Sequence, residues 1–190
     1  MKPIKSTIIA ALLLLSVFQA GWADTKPNSP TITTHQQLAG ELDDTGWTTA
    51  VSTEGRYLVR IPTKYNDITA VHDQPSSAVD RSHTLAALTL QGVKFIATRI
   101  HYKPGNKGAR AQFEKFKVSA GKLRYESIKP MKINGSEAME GEVVTARTIM
   151  IQRSILLGDD LFMMIVEYPK AQEAVAKRQI STFFESVKFD

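Results

Sequence analysis

The 190-residue sequence contains no cysteine. That single absence excludes thiol nucleophiles, thiolate metal sites and disulfides, so a folded form has to rest on its apolar core. Beyond the N-terminus there is no apolar run of the roughly 20 residues that a membrane-spanning helix needs. The Gly-x-Ser-x-Gly pattern of a nucleophile elbow is missing, and Gly105, Gly108 and Gly121 are not spaced as a phosphate loop. No internal repeat or low-complexity tract interrupts the chain. A hydrophobic content of 43% and a charged content of 23% are ordinary for a globular protein of this length, and predict one domain.

What is present begins with Lys2 and Lys5, an apolar segment from Ile8 to Phe18 and the small-residue site Gly21-Trp22-Ala23. This is the n-region, h-region and cleavage-site order of a secretory signal peptide, so residues 1–23 are expected to be removed and the protein to be periplasmic or secreted. An uncleaved anchor is the alternative, disfavoured by the shortness of the run. No cysteine is available for lipid attachment. The formal charge is +5 for the whole chain and +3 without residues 1–23.

Residues 24–45 read as a flexible leader, polar and carrying Pro27 and Pro30. Thr34-His35-Gln36-Gln37 has the spacing of a capping box, and with Leu38 and Leu42 it predicts a short helix running toward Gly46. Residues 46–190 are expected to form the domain. Alternation predicts a hairpin from Trp47–Val51 and Tyr57–Ile61. The long polar stretch Lys64–Ser82 reads as a connection with a weak strand at Ile68–Val71, and as a candidate binding rim.

A second hairpin is expected from Thr84–Leu90 and Val93–Tyr102. Asn106 then caps a helix with Ala109, Phe113, Phe116 and Ala120 on one face, ending at Gly121. Asn134-Gly135 is the preferred two-residue turn for a third hairpin, Leu123–Ile133 with Glu137–Thr145. Leu161–Val166 is the strongest apolar run of the domain and reads as a central strand covered on both faces, with Ile149–Leu157 as its hairpin partner. Pro169 is expected to open a helix burying Ala176, Ile180, Phe183 and Val187. Hairpins separated by one helix and closed by another argue an α+β fold, a largely antiparallel sheet with helices packed on it.

Three segments carry a family likeness. Tyr57-Leu58-Val59-Arg60-Ile61-Pro62, the late hairpin with Arg153 and Gly158-Asp159-Asp160-Leu161-Phe162, and the closing Phe184-Glu185-Ser186-Val187-Lys188-Phe189 resemble the corresponding parts of PsbP-like domains. The likeness spans about Trp47 to Phe189. It implies an αβα sandwich that acts by binding and has no shared catalytic motif to transfer. The family takes its name from an extrinsic photosystem II subunit, and other members include a nuclear GTPase-binding protein and exported bacterial proteins. A photosystem role does not follow from the residues that match.

Candidate chemistry is sparse. His72, Asp73, Asp80 and His83 offer imidazole and carboxylate ligands, but their spacing matches no ligand motif, and loops collect such residues anyway. His101 reads as a sheet-face residue. An enzyme reading, a small hydrolase or metal-dependent enzyme, would be built on His72, His83 and His101; no catalytic residue, metal ligand or cofactor is assigned. Asn134-Gly135-Ser136 fits a glycosylation sequon, although the turn explains the same residues. Met163 and Met164 read as core filling.

The feature pointing to a partner is basic. Between Lys103 and Lys132 nine cations face only Glu114 and Glu126. Lys103, Lys107, Arg110, Lys117, Lys122 and Arg124 are therefore the candidate binding residues, suited to an anionic partner, or else to a solvated helix face. Nucleic acid is disfavoured, because Phe113 and Phe116 fall on the apolar stripe rather than among the charges. The leading expectation is an exported, non-enzymatic binding protein. A factor acting on a host or neighbouring cell differs from it only in destination.

Overall fold

A computed structural model describes residues 29–118 and 125–190 of the chain. The expected signal peptide, residues 1–23, lies outside them, as do Lys122 and Arg124. The central strand predicted from the apolar run is the axis of the molecule. It is β10 (Asp160–Pro169), joined to β9 (Thr148–Leu157) by a two-residue turn at Gly158-Asp159 and paired on its other side with β6 (Lys94–Tyr102). Leu161 to Val166 are all buried, as a strand covered on both faces requires.

Around this axis an eight-stranded antiparallel sheet is built. Its first half comprises β1 (Thr31–Ala39), β4 (Tyr65–Val71), β5 (Val79–Leu88) and β6; its second half comprises β10, β9, β8 (Ser136–Val144) and β7 (Tyr125–Ile133), in that spatial order. Asn134 and Gly135 join β7 to β8 with φ of +49° and +81°, the left-handed pair that matches the turn to strand twist. A second sheet of three strands orders β11 (Lys188–Phe189), β3 (Tyr57–Ile61) and β2 (Thr48–Val51).

Two helices cover opposite faces. Helix α1 (Gly108–Val118) lays Ala109, Phe113 and Phe116 on Leu161, Met163, Leu156 and Met139. Helix α2 (Glu173–Glu185) and the small sheet bury the other face, where Phe162, Met164, Val166 and Tyr168 meet Val59, Ile61, Phe183 and Phe184. Arg153 ties the two layers together: its guanidinium bonds Glu140 at 2.7 Å and 3.1 Å, lies 4.5 Å from the centre of the Phe184 ring and reaches the Phe184 carbonyl at 3.3 Å. The α+β class and the antiparallel sheet are as the sequence predicts. No helix among the described residues is long and apolar enough to cross a membrane.

Three local expectations are corrected. The leader of residues 24–45 contributes no short helix at Thr34-His35-Gln36-Gln37; residues 31–39 form β1, bonded to β4, so the sheet begins before residue 46. Threonine and isoleucine suit an edge strand, and Leu38 and Leu42, both exposed, provide no face for a helix to bury. The connection expected over Lys64–Ser82 is mostly strand, since β4 and β5 occupy all but residues 72–78 of its middle. Its inward positions are Tyr65, Asp67 and Thr69, and the last two gave the stretch a loop-like polarity. Finally, β10 runs through Pro169 itself, and a single 3₁₀ turn at Lys170–Gln172 precedes α2.

Candidate functional site

The inward phase of β4, β5 and β6 is apolar at one end and polar at the other. Tyr65, Leu85, Ala87, Phe95 and Ala97 belong to the core, and the same face continues into Thr69, His83, Arg99 and His101. This polar end is closed by the turn between β2 and β3. Gly55 makes the closure possible: a Cβ there would stand 2.6 Å from Ser52 Oγ and from the Tyr57 ring and 2.9 Å from His83 Cβ, which no side chain tolerates. Asp67, fully buried, accepts the Thr53 backbone N–H at 2.7 Å and so anchors the turn to β4.

The hub is the Thr69 hydroxyl. Glu54 can only accept, so the single hydroxyl hydrogen goes to its carboxylate at 3.2 Å. His35 Nε2 at 2.8 Å and His83 Nδ1 at 2.9 Å then donate to the hydroxyl oxygen, which places a proton on each of these two nitrogens. Alongside, His101 Nδ1 donates to Asp160 at 2.9 Å, and Arg99 donates to the other oxygen of that carboxylate at 2.9 Å and to the Gly55 carbonyl at 3.3 Å. The His83 and His101 rings meet edge to face, 5.1 Å between centres.

Burial holds His83 below the usual histidine range, and the neighbouring His101 and Arg81 push the same way against Glu54 and Asp67. Asp160 sits below the usual carboxylate range: burial raises it, but the hydrogen bonds and charges of His101 and Arg99 outweigh burial. The stability consequence has a definite sign. An unfolded histidine takes up a proton near pH 6.5, whereas folded His83 resists until lower pH, so the unfolded state binds more protons and stability falls as pH drops from about 7 to 5. The Asp160 contribution is lost only at lower pH, below about 4. Urea melts at pH 7.5 and 5.5 are expected to show the loss, and His83→Leu is expected to flatten the slope; an unchanged slope would remove His83 as its source.

The structure brings together His83 and His101 and leaves His72 apart, beside a recess of about 290 Å³ lined by Pro30, Val71, Asp73 and Gln74. Burial lowers His72 too, against the opposing pull of Asp73 and Asp80. Among the described residues no three histidine, aspartate or glutamate groups are placed to share a metal ion. His35, Glu54, Thr69, Arg99 and Asp160 do not stand out in the sequence. Their signal is polar residues standing in strand phase with core residues, as in Tyr65-x-Asp67-x-Thr69.

The basic candidates are split. Arg110 makes a two-pronged bond to Glu137 at 2.7 Å and 2.9 Å, which matches its charge, and the Lys103 ammonium donates to the Gln74 carbonyl. Lys107 is exposed at the entry to α1, and Lys117 belongs to the last turn of that helix.

No family model matches the chain, and no curated protein matches it. Among solved structures it is similar to the cyanobacterial PsbP of Synechocystis, with 12% identity over 80% of this chain and 97% of that one and a TM-score of 0.49. It is also similar to LpqN, involved in cell envelope biogenesis of Mycobacterium tuberculosis, with 12% identity over 86% of this chain and 85% of that one and a TM-score of 0.35. The first bears the name of the family that the sequence resembles.

Proposed function

We propose that this is an exported binding protein that works by contact rather than by catalysis. One observation carries the reading: the hydroxyl and the imidazole at the centre of the polar cluster are used up by one another. Thr69 and His83 are only 4% and 3% exposed, and the Thr69 hydroxyl is enclosed by Glu54, His35 and His83. A general base must reach the proton it abstracts, and a hydroxyl and an imidazole sealed into one another have no such reach. Export is the expectation from residues 1–23, and the excess of cations between Lys103 and Lys132 makes an anionic partner the favoured class.

The test uses the chain beginning at Asp24, which keeps every described element. Changing Lys107, Lys117 and Lys122 together to Glu is expected to abolish retention on an anionic matrix, whereas Lys177, Arg178 and Lys188, all exposed on the other layer, are expected to tolerate the same change. Equal weakening by both triples would mean that net charge alone is being read. A hydrolytic activity lost on His83→Ala without loss of stability would replace the binding reading with an enzyme.

A further inference from the structure

The end of the sheet opposite the polar cluster carries a feature that packing does not account for. The tip between β5 and β6 is tightly bonded: the Thr89 N–H donates to the Val93 carbonyl at 2.9 Å, Gly92 donates to the Thr89 carbonyl at 3.0 Å, and the Thr89 hydroxyl accepts from the Val93 N–H at 3.1 Å. This ordered turn holds Leu90 out fully exposed, with Leu88 at 45% exposure beside it. A single exposed leucine is ordinary on a surface, but here two stand two residues apart on one turn.

Cations stand around the tip. Tyr65 pairs with Ala87, which places Lys64 next to Leu88 across the β4–β5 ladder. The position a Cβ on Gly92 would take is 3.7 Å from Pro169, and the next residue, Lys170, donates its backbone N–H to the Arg147 carbonyl at 3.0 Å. Lys64, Arg147 and Lys170 are exposed and make no ion pair among the described residues. Lys94 differs, being neutralised by Glu167 at 3.2 Å. The result is two leucines on a rigid point with three unpaired positive charges around it.

We infer that this tip is a membrane contact, inserting Leu90 and Leu88 among the acyl chains of an anionic lipid surface while Lys64, Arg147 and Lys170 meet the headgroups. Charge complementarity and size together select the lipid. A specific protein interface needs about 1,000 Å² of contact or more, and two leucines are far from providing its apolar centre. A bilayer requires no such shape: shallow apolar insertion and a few cations suffice, each cation near the surface raising binding about fivefold. The site is separate from the α1 segment, since β6 starts at this tip and ends at Tyr102, just before α1.

The test is co-sedimentation of the chain beginning at Asp24, free of the apolar N-terminal segment, with vesicles of phosphatidylcholine alone or mixed with phosphatidylglycerol. Binding is expected only to the mixed vesicles and to weaken with salt. Lys64→Glu, Arg147→Glu and Lys170→Glu combined are expected to reduce it by about a hundredfold. Leu90→Glu is expected to cost about tenfold or more without changing the melting temperature, and Leu90→Trp to show a blue shift in emission when mixed vesicles are added. Lys103→Glu with Lys107→Glu is expected to leave vesicle binding intact, which separates this contact from the anionic-partner reading. Three results would each overturn the inference: failure of the unaltered chain to sediment, full binding by Leu90→Glu, or an indole emission in the Leu90→Trp variant that ignores lipid but responds to a protein.

Discussion

Phe183→Ala is expected to lower the unfolding free energy by about 3–5 kcal/mol, the usual cost of truncating a buried aromatic. Phe183 is 0% exposed, meets Phe95 of β6 edge to face at 5.2 Å between ring centres and touches Phe184 at 5.5 Å. Its loss would open a cavity among Phe95, Phe184 and the core residues between the two sheets. Lys177→Ala on the exposed side of the same helix is expected to stay within about 0.5 kcal/mol. Its ion pair with Glu173 at 2.6 Å stands in water and contributes little. Denaturant melts of the two variants measure the contrast; small and equal shifts would show that α2 is not what closes the core.

The second large effect is expected from removing one oxygen atom. The Tyr57 hydroxyl is buried between β5 and β6, where it accepts the Leu85 N–H at 3.2 Å and donates its one hydrogen to the Ala97 carbonyl at 2.7 Å, with the His83 carbonyl also in reach at 3.0 Å. Leu85 and Ala97 are paired with one another in the ladder, so a side chain from the other layer adds its bonds to a strand pair already formed. Tyr57→Phe keeps the ring, which packs edge to face on Phe162 at 4.8 Å, and removes the hydroxyl that joins the two layers. A cost of about 1–3 kcal/mol is expected from the loss of its buried hydrogen bonds. Hydrogen exchange at Leu85 should accelerate with it. A neutral substitution would mean that the ladder alone satisfies these groups.

The parts of this fold legible in the sequence are those where burial and residue type agree. Leu161–Val166 can be read as a central strand because both of its faces are apolar, and Phe113 with Phe116, or Ala176 with Phe183, mark helix faces because their opposite sides are charged; Val187, expected on the second of these faces, is buried from beyond the helix, which ends at Glu185. Asn134-Gly135 announces its turn through backbone preference alone. The failures share one cause. In β4, Asp67 and Thr69 point inward, where a single sequence supplies no reason for them; Ser52, Thr53, Glu54 and His83, which satisfy them, come from other elements. A polar residue whose partner lies far along the chain reads as loop, and so the polar cluster is hidden while the isolated histidines are visible. For β1, its hydrogen bonds to β4 outweigh a local capping pattern that has no face to bury.

The short strand β11 has a consequence for the order in which the layers can close. Lys188 and Phe189 pair with Leu58 and Tyr57, and the final residue, Asp190, donates its N–H to the Arg56 carbonyl at 3.2 Å. Phe189 also packs edge to face on Phe162. One edge of β3, whose Val59 and Ile61 are fully buried in the core, is therefore covered by residues 188–190. β3 is thereby held between β2, its neighbour in sequence, and a strand about 130 residues further along the chain. The small sheet can be complete only after that long loop has closed, which makes its assembly a late and slow step of folding.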